Sequence, residues 1–256
     1  MNAASNTHVK EIAVVVGAGG AFGKAIVKRL LDANLTVIAV GRSRQTLDAL
    51  VATHPGVRPC VADISSDDSI DAIRKMLDAT VRIVVHGPGV PVAGGVANAP
   101  TQALVDAVNI KAAGMLRLVR AVESRLVRGS RLVGIGGHYG QEPTEYAAAA
   151  GVANAALANL MRQLNWGYGK KGITAHLIAP GPADTERLHR VAADRAASRQ
   201  VDVSTVLDEM LSESAIRAFI TPEQVAWAVG LLLSPEADAL AGSGLMLDAG
   251  RRRGLP

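Results

Sequence analysis

The sequence predicts an α/β fold, a single doubly wound parallel sheet of about seven strands flanked by helices. Three observations predict it. Short β-branched runs alternate with longer helical stretches from end to end. The strand candidates read as unbroken apolar runs, as strands covered on both faces do. Each is followed by enough chain for a crossover helix, and right-handed crossovers wind such a sheet in both directions.

The expected strands are Ile12 to Val16, Thr36 to Val40, Arg58 to Val61, Arg82 to Val85, Arg131 to Ile135, Thr174 to Ile178 and Gly244 to Leu247, with helices between them. No linker, repeat or low-complexity segment interrupts the pattern, so residues 1–256 are expected to form one domain. At this length one domain buries on the order of 75% of its unfolded surface, which leaves no need for disulfides or a structural metal.

Composition narrows the function classes. With 49% hydrophobic residues the chain is not disordered, and its longest apolar runs fall far short of the roughly 20 residues of a membrane helix. The 27 Lys and Arg exceed the 23 Asp and Glu only slightly and are scattered, apart from Arg251, Arg252 and Arg253 at the tail. Two Phe, three Tyr and two Trp are too few for a base-stacking platform, so neither nucleic acid nor membrane is expected as a partner. The arginine tail reads as a solvated end. Cys60 is the one cysteine and the start, Met1 to Lys10, is polar, which together predict a cytoplasmic protein. His8, His54, His176 and His189 show no metal-ligand spacing, and no metal is expected.

Ligands on a doubly wound sheet bind beyond the carboxyl ends of the strands. After the first strand comes Gly17-Ala18-Gly19-Gly20-Ala21-Phe22-Gly23, then a helix with Ile26, Val27, Leu30 and Leu31 on its apolar side. Glycines there allow a tight turn and a close backbone approach to a pyrophosphate, which the helix N-terminus attracts. The segment predicts dinucleotide binding and a Rossmann-like sheet. After the second strand stands Gly41-Arg42-Ser43-Arg44, with cations and no carboxylate. Arg42 with Ser43 suits a 2′-phosphate, so the expected cofactor is NADP(H).

The order of these signals resembles the short-chain dehydrogenase/reductase family from the first strand to the last. The glycine loop is similar to that family's phosphate element, with Ala21 at its middle glycine. Asp63, followed by Ile64, stands where the family's aspartate contacts adenine. His86-Gly87-Pro88-Gly89 takes the place of its Asn-Asn-Ala-Gly segment. Asn109 matches the asparagine of its catalytic set, and Pro180, Gly181 and Thr185 match the stretch closing on the nicotinamide. Thr221-Pro222-Glu223-Gln224 and Leu247-Asp248-Ala249-Gly250 resemble its last helix and strand.

In the catalytic centre the residues depart from the family. The resemblance implies a serine where Gly137 stands. It implies a tyrosine at Tyr146, opening the next helix, and a lysine four residues on, where Ala150 stands. Without a lysine on its helix face, Tyr146 is expected to keep its proton at neutral pH and to serve reduction better than oxidation. His138 is the candidate to replace the serine hydroxyl, by donating a hydrogen bond or a proton. His86 is expected either to pack under the cofactor or to transfer a proton.

The helix from Tyr146 to Gly167 is rich in alanine, which suits close packing against the sheet and a second subunit. The resemblance implies a homodimer or tetramer, with Trp166 and Tyr168 as packing or subunit contacts. Glu186 to Ile220 is the expected substrate lid, its Leu188, Val206, Leu207, Met210 and Leu211 forming a partly apolar pocket wall. The leading expectation is an NADP(H)-dependent reductase of a carbonyl or activated double bond in a small, apolar or moderately polar substrate. Tyr146 is its proton donor, assisted by His138 and Asn109. The alternatives are a catalytically silent protein that binds NADP(H) or a partner, and a non-redox lyase or isomerase.

Overall fold

The computed structural model of the protein describes residues 11–91 and 93–254. His8 and the polar start from Met1 to Lys10 lie outside the described residues. All seven expected strands are present and parallel: β1 (Glu11–Val16), β2 (Thr36–Gly41), β3 (Val57–Val61), β4 (Thr80–His86), β5 (Leu126–Ile135), β6 (Thr174–Pro180) and β7 (Gly244–Leu247). They lie in the order β3-β2-β1-β4-β5-β6-β7. β5 starts at Leu126 rather than Arg131. Leu126 pairs with Val81, and the register then shifts before Arg131 meets Ile83.

Helices cover both faces, and the strand side chains alternate between them with the period of two that a pleated strand imposes. Ala13 and Val15 of β1 face a core shared with α1 (Ala21–Asp32), α2 (Arg44–Thr53) and α9 (Pro222–Leu231), where Ile26, Leu30, Leu47 and Val225 are buried. Ile12, Val14 and Val16 face the other core, with Ile73 of α3 (Asp68–Arg74), Leu118 of α5 (Gly114–Val122) and Leu157 and Met161 of α6 (Ala148–Tyr168). Between α4 (Thr101–Val108) and α5 the helix widens into a π-helical turn over Asn109–Ala113. Such turns are rare and often sit at functional sites.

The chain reverses direction across the sheet between β1 and β4, and that switch point opens a crevice at the carboxyl edge. Beyond β6, α7 (Glu186–Arg199) and α8 (Val203–Ser212) fold over this edge. The segment is closed at its base, where Asp184 donates to Ile220 O at 2.8 Å and Ile220 to Pro182 O at 3.1 Å. Leu188, Ala192, Ala196, Val206 and Met210 are buried against one another, with Leu207 packed on them. Leu188, Val206, Leu207 and Met210, expected to line an apolar pocket wall, are instead this helix pair's own core, because two amphipathic helices meeting over an edge bury their apolar faces on each other.

Candidate active site

Two cavities open at the carboxyl edge. One, of about 500 Å³, is lined by Gly17, Gly19, Gly20, Arg42, Ser43 and Thr46. Its floor is backbone because neighbouring chain leaves no room for side chains. Gly17 has φ +82°, and a Cβ there would lie 2.9 Å from Gly87 C. A Cβ on Gly23 would lie 2.2 Å from Gly17 O. The helix begins at Ala21 after Gly20, with no side-chain cap and no acid in its first turn, so the first N–H groups, including those of Ala21, Phe22 and Gly23, are left for an anion.

Arg44 is held by Asp48 at 3.0 Å, whereas no ion pair among the described residues holds Arg42. Ser43 caps α2 through its side chain, which accepts from Thr46 N at 3.2 Å. Asp63 accepts from the backbone N–H and hydroxyl of Ser65. These bonds, with a smaller contribution from the charges of Arg42 and Arg117, hold its carboxyl below the usual range. Ile64 is buried beside it. Gly17, Gly19, Gly20, Arg42 and Ser43 thus line one cavity, and Asp63 lies near enough to Arg42 to feel its charge.

At the centre of the sheet, burial and then the charge of Lys111 push His86 down to about 3, so its imidazole is neutral. Its Nε2 donates to Ile110 O at 2.9 Å, and a Cβ on Gly114 would lie 2.9 Å from its Cε1. His86 thus pins the end of β4 to the π-helical turn. Asn109 is turned away from Tyr146. Its Nδ2 donates to Ser65 O at 3.0 Å and its Oδ1 accepts from Arg117 at 2.9 Å. Both ends of the amide are committed to holding the loop after β3, so its side chain is not free to assist Tyr146. On the far side Gly181 donates to Leu247 O at 2.8 Å, and Thr185 caps α7 by accepting from Leu188 N, which fixes the strand end at Pro180 beneath that helix.

The second cavity, of about 340 Å³, is lined by His138, Tyr139, Thr144, Tyr146, Glu213 and Arg251 among others. Tyr146 does not open a helix: α6 starts at Ala148, and Tyr146 lies in the loop before it. The helix-face relation expected between Tyr146 and Ala150 is therefore absent. Ala150 packs in a cluster with Val90, Ala107 and Ala153. Asn154 fills the space next to Gly137, where an added Cβ would lie 2.8 Å from its Nδ2. Asn154 Oδ1 is buried with no hydrogen-bond partner among the described residues.

Tyr146 is not unassisted, in contrast to the sequence expectation. The Tyr139 and Tyr146 hydroxyls are hydrogen-bonded, with rings edge to face at 5.6 Å. The Arg195 guanidinium of α7 lies 4.1 Å from the centre of the Tyr146 ring. Burial works to raise Tyr146, but the Tyr139 hydrogen bond and Arg195 outweigh it and hold the phenol below its ordinary value. Burial and the Tyr146 bond push Tyr139 up to about 12, so Tyr139 is the donor and Tyr146 the more acidic member.

His138 is buried and stacked on Tyr139 at 3.9 Å. Burial and the charge of Arg251 bring it down to about 4, while its ring bonds the Pro180 carbonyl. Its Nε2 has no partner among the described residues, so Nδ1 carries the proton given to Pro180 and Nε2 is a bare acceptor at neutral pH. Donation in place of the missing serine hydroxyl, the expected role, needs a proton that this nitrogen lacks.

The arginine tail is not a solvated end. Arg251 pairs with Glu213 of the segment after α8, and Arg252 donates to Gln141 Oε1 at 2.9 Å and lies 3.4 Å from Glu142. Sequence reasoning also missed Lys111, Asn154 and Arg195. Lys111 carried a signal, a cation among small and apolar residues two places after Asn109. Arg195 carried none, since its contact with Tyr146 depends on how α7 folds back. Among the described residues no three His, Cys, Asp or Glu side chains are grouped as metal ligands, and no helix is long and apolar enough to cross a membrane.

A family model described as enoyl-(acyl carrier protein) reductase matches residues 17–252. A putative ketoacyl reductase of Streptomyces coelicolor is 24% identical over 95% of this chain and 98% of its own. The short-chain reductase protein NovJ of Streptomyces niveus is 27% identical over 94% of each. Among solved structures, a single-residue variant of the actinorhodin polyketide ketoreductase with NADPH superposes with a TM-score of 0.86 at 22% identity, over 94% of this chain and 97% of that one. L-sorbose reductase from Gluconobacter frateurii, complexed with NADPH and L-sorbose, gives 0.87 at 19% over 96% and 98%. The structural likenesses are of fold. With the family model matching residues 17–252, nearly the whole chain, the chain belongs to the short-chain dehydrogenase/reductase family.

Proposed function

We propose that this oxidoreductase uses NADP(H) to reduce a carbonyl or activated double bond of a small, moderately polar substrate, with the Tyr146 hydroxyl as proton donor. The residues fit the cofactor. The backbone floor at Gly17 and Gly23 is a cradle that a Cβ would fill, the helix N-terminus beyond Gly20 is uncapped, and Arg42 is a cation that no ion pair among the described residues holds. The family relatives solved with NADPH support the same choice. When bound, the nicotinamide supplies the hydride.

The observation that carries the chemistry is the Tyr139–Tyr146 pair beside Arg195 in the second cavity. As negative charge builds on the substrate oxygen, Tyr146 gives it a proton, and the phenolate left behind keeps the Tyr139 hydrogen bond and the nearby guanidinium. The α7–α8 segment, closed at its base by Asp184 and Ile220, acts as the lid that carries Arg195 to the site. The alanine-rich α6, with Trp166 exposed at its end, is the face on which we place a second subunit.

Steady NADPH consumption against a panel of ketones and enones, falling about 10²- to 10⁴-fold in Tyr146→Phe, is the expected result. Unchanged turnover in that variant removes Tyr146 from the mechanism. One observation favours a second reading, a protein that binds NADP(H) without turnover: Gly137 and Asn154, which face one another, carry neither hydroxyl nor ammonium. Saturable NADPH binding with no consumption across the panel selects it.

A further inference from the structure

We propose that Lys111 supplies, from the π-helical turn, the ammonium missing after Tyr146, and that it donates hydrogen bonds to the hydroxyls of the ribose on the nicotinamide side of the cofactor. The proposal rests on the NADP(H) reading above and adds a binding residue to it.

Lys111 is 5% exposed, and among the described residues its Nζ gives one hydrogen bond, to Ile135 O at 2.7 Å. An ammonium has three donors. No carboxylate among the described residues pairs with Lys111, and the charge that acts on it most is that of another cation, Arg187. Burial and this neighbour bring Lys111 down to about 8, still mostly charged at neutral pH. A buried, mostly charged group with two unused donors is costly unless a ligand provides the acceptors.

Its place in the fold says which ligand. The root of Lys111 is anchored by His86, whose Nε2 holds the carbonyl of Ile110, and its tip is anchored at the last residue of β5. The ammonium therefore sits between the ends of the two central strands. Gly136 and Gly137 follow Ile135 with no side chains to cover it. From above, Arg187 of α7 donates to Val90 O at 2.7 Å. A Cβ on Gly87 would lie 3.4 Å from Ile135, and Gly87 is also the residue that crowds Gly17. A dinucleotide whose pyrophosphate lies on the α1 N-terminus runs next past this contact, which presents its second ribose to Lys111. The titratable and charged groups facing the ammonium are His86 from β4, neutral, and Arg187 from α7.

The test compares NADPH with adenosine 2′,5′-bisphosphate, which keeps the adenosine and the 2′-phosphate but lacks the second ribose, by calorimetry at several pH values. Lys111→Met is expected to weaken NADPH roughly 10- to 100-fold, the size of one or two charge-assisted hydrogen bonds, and to leave the bisphosphate unchanged. Lys111→Arg retains part of the affinity. Wild-type affinity for NADPH declines as pH rises past about 8, and that of Lys111→Met does not. Equal weakening of both ligands, or unchanged NADPH affinity, overturns the assignment. A wild type that binds neither ligand overturns the NADP(H) reading itself. Should Lys111→Met fail to fold, shown by loss of its cooperative thermal transition, the wild-type pH profile decides: a flat profile overturns the proposal.

Discussion

The half of the sheet formed by β1 to β3 and the half formed by β4 to β7 use polar chemistry in opposite ways. In the first, the cavity is lined by glycine backbone and by Arg42, which no ion pair among the described residues holds, and neighbouring backbone leaves no room for a Cβ at Gly17 or Gly23. In the second, the polar groups at the edge are side chains, and neighbouring groups hold them: Tyr139 by Tyr146, His138 by the Pro180 carbonyl, Asn109 by the Ser65 carbonyl and Arg117. Gly17 and Gly23 admit no side chain, while a side-chain network can be rebuilt from different residues. That difference explains how this chain keeps the phosphate loop while Gly137, Ala150 and Asn154 stand at its centre.

Acid is expected to separate the halves most strongly. His86, His138 and His176 are pushed down to about 3, 4 and 4 by burial, and all three lie in the second half. Each binds its proton more readily in the unfolded chain, whose histidines titrate near 6.5. Their neutral form therefore contributes stability that is complete above pH 6.5 and is lost as pH falls toward each folded value. Denaturant titrations should show stability dropping by about 1.4 kcal/mol per pH unit for each histidine between about pH 6 and 4. His176→Gln should reduce that slope. A flat profile over this window would show that these rings are not buried neutral.

Gly23→Ala attacks the first half. Its Cβ would lie 2.2 Å from Gly17 O, and both partners are backbone, so neither can rotate away. A loss of about 3 kcal/mol in unfolding free energy and of measurable NADPH binding is expected. Normal stability with normal binding would show that the cradle yields and that the two halves do not differ in kind.

How much was legible in advance follows the same division. The strands, the loop from Gly17 to Gly23 and Arg42 were readable because their causes are local: apolar runs, glycine spacing, a missing carboxylate. The start of β5 was misplaced, since pairing of Leu126 with Val81 depends on a register shift that no local pattern encodes. Tyr146 was placed on a helix that starts two residues later, Arg251 was read as solvated although it pairs with Glu213, and Arg195 went unnoticed. Each of these depends on chain segments far apart in sequence coming together over the carboxyl edge.

Arg42 offers a smaller and more selective effect. Arg42→Ala should weaken NADPH by roughly 10- to 100-fold while leaving NADH nearly unchanged, as expected for loss of a charge-assisted phosphate contact. Arg44→Ala is the control, because Asp48 already holds that guanidinium. Equal effects of the two variants on NADPH would place the 2′-phosphate elsewhere.

The smallest effect tests the rebuilt centre. A Cβ on Gly137 would lie 2.8 Å from Asn154 Nδ2, so Gly137→Ala should cost about 1 kcal/mol as the amide is displaced within a buried site. Asn154→Ala removes the obstructing amide along with an Oδ1 that has no partner among the described residues. In that background Gly137→Ala should cost nothing, giving a coupling of about 1 kcal/mol between two residues 17 positions apart. Additive costs would mean that α6 does not present Asn154 to Gly137. Asn154 would then not be the side chain that fills the space beside Gly137, and the second half would have lost its side chains without replacing them.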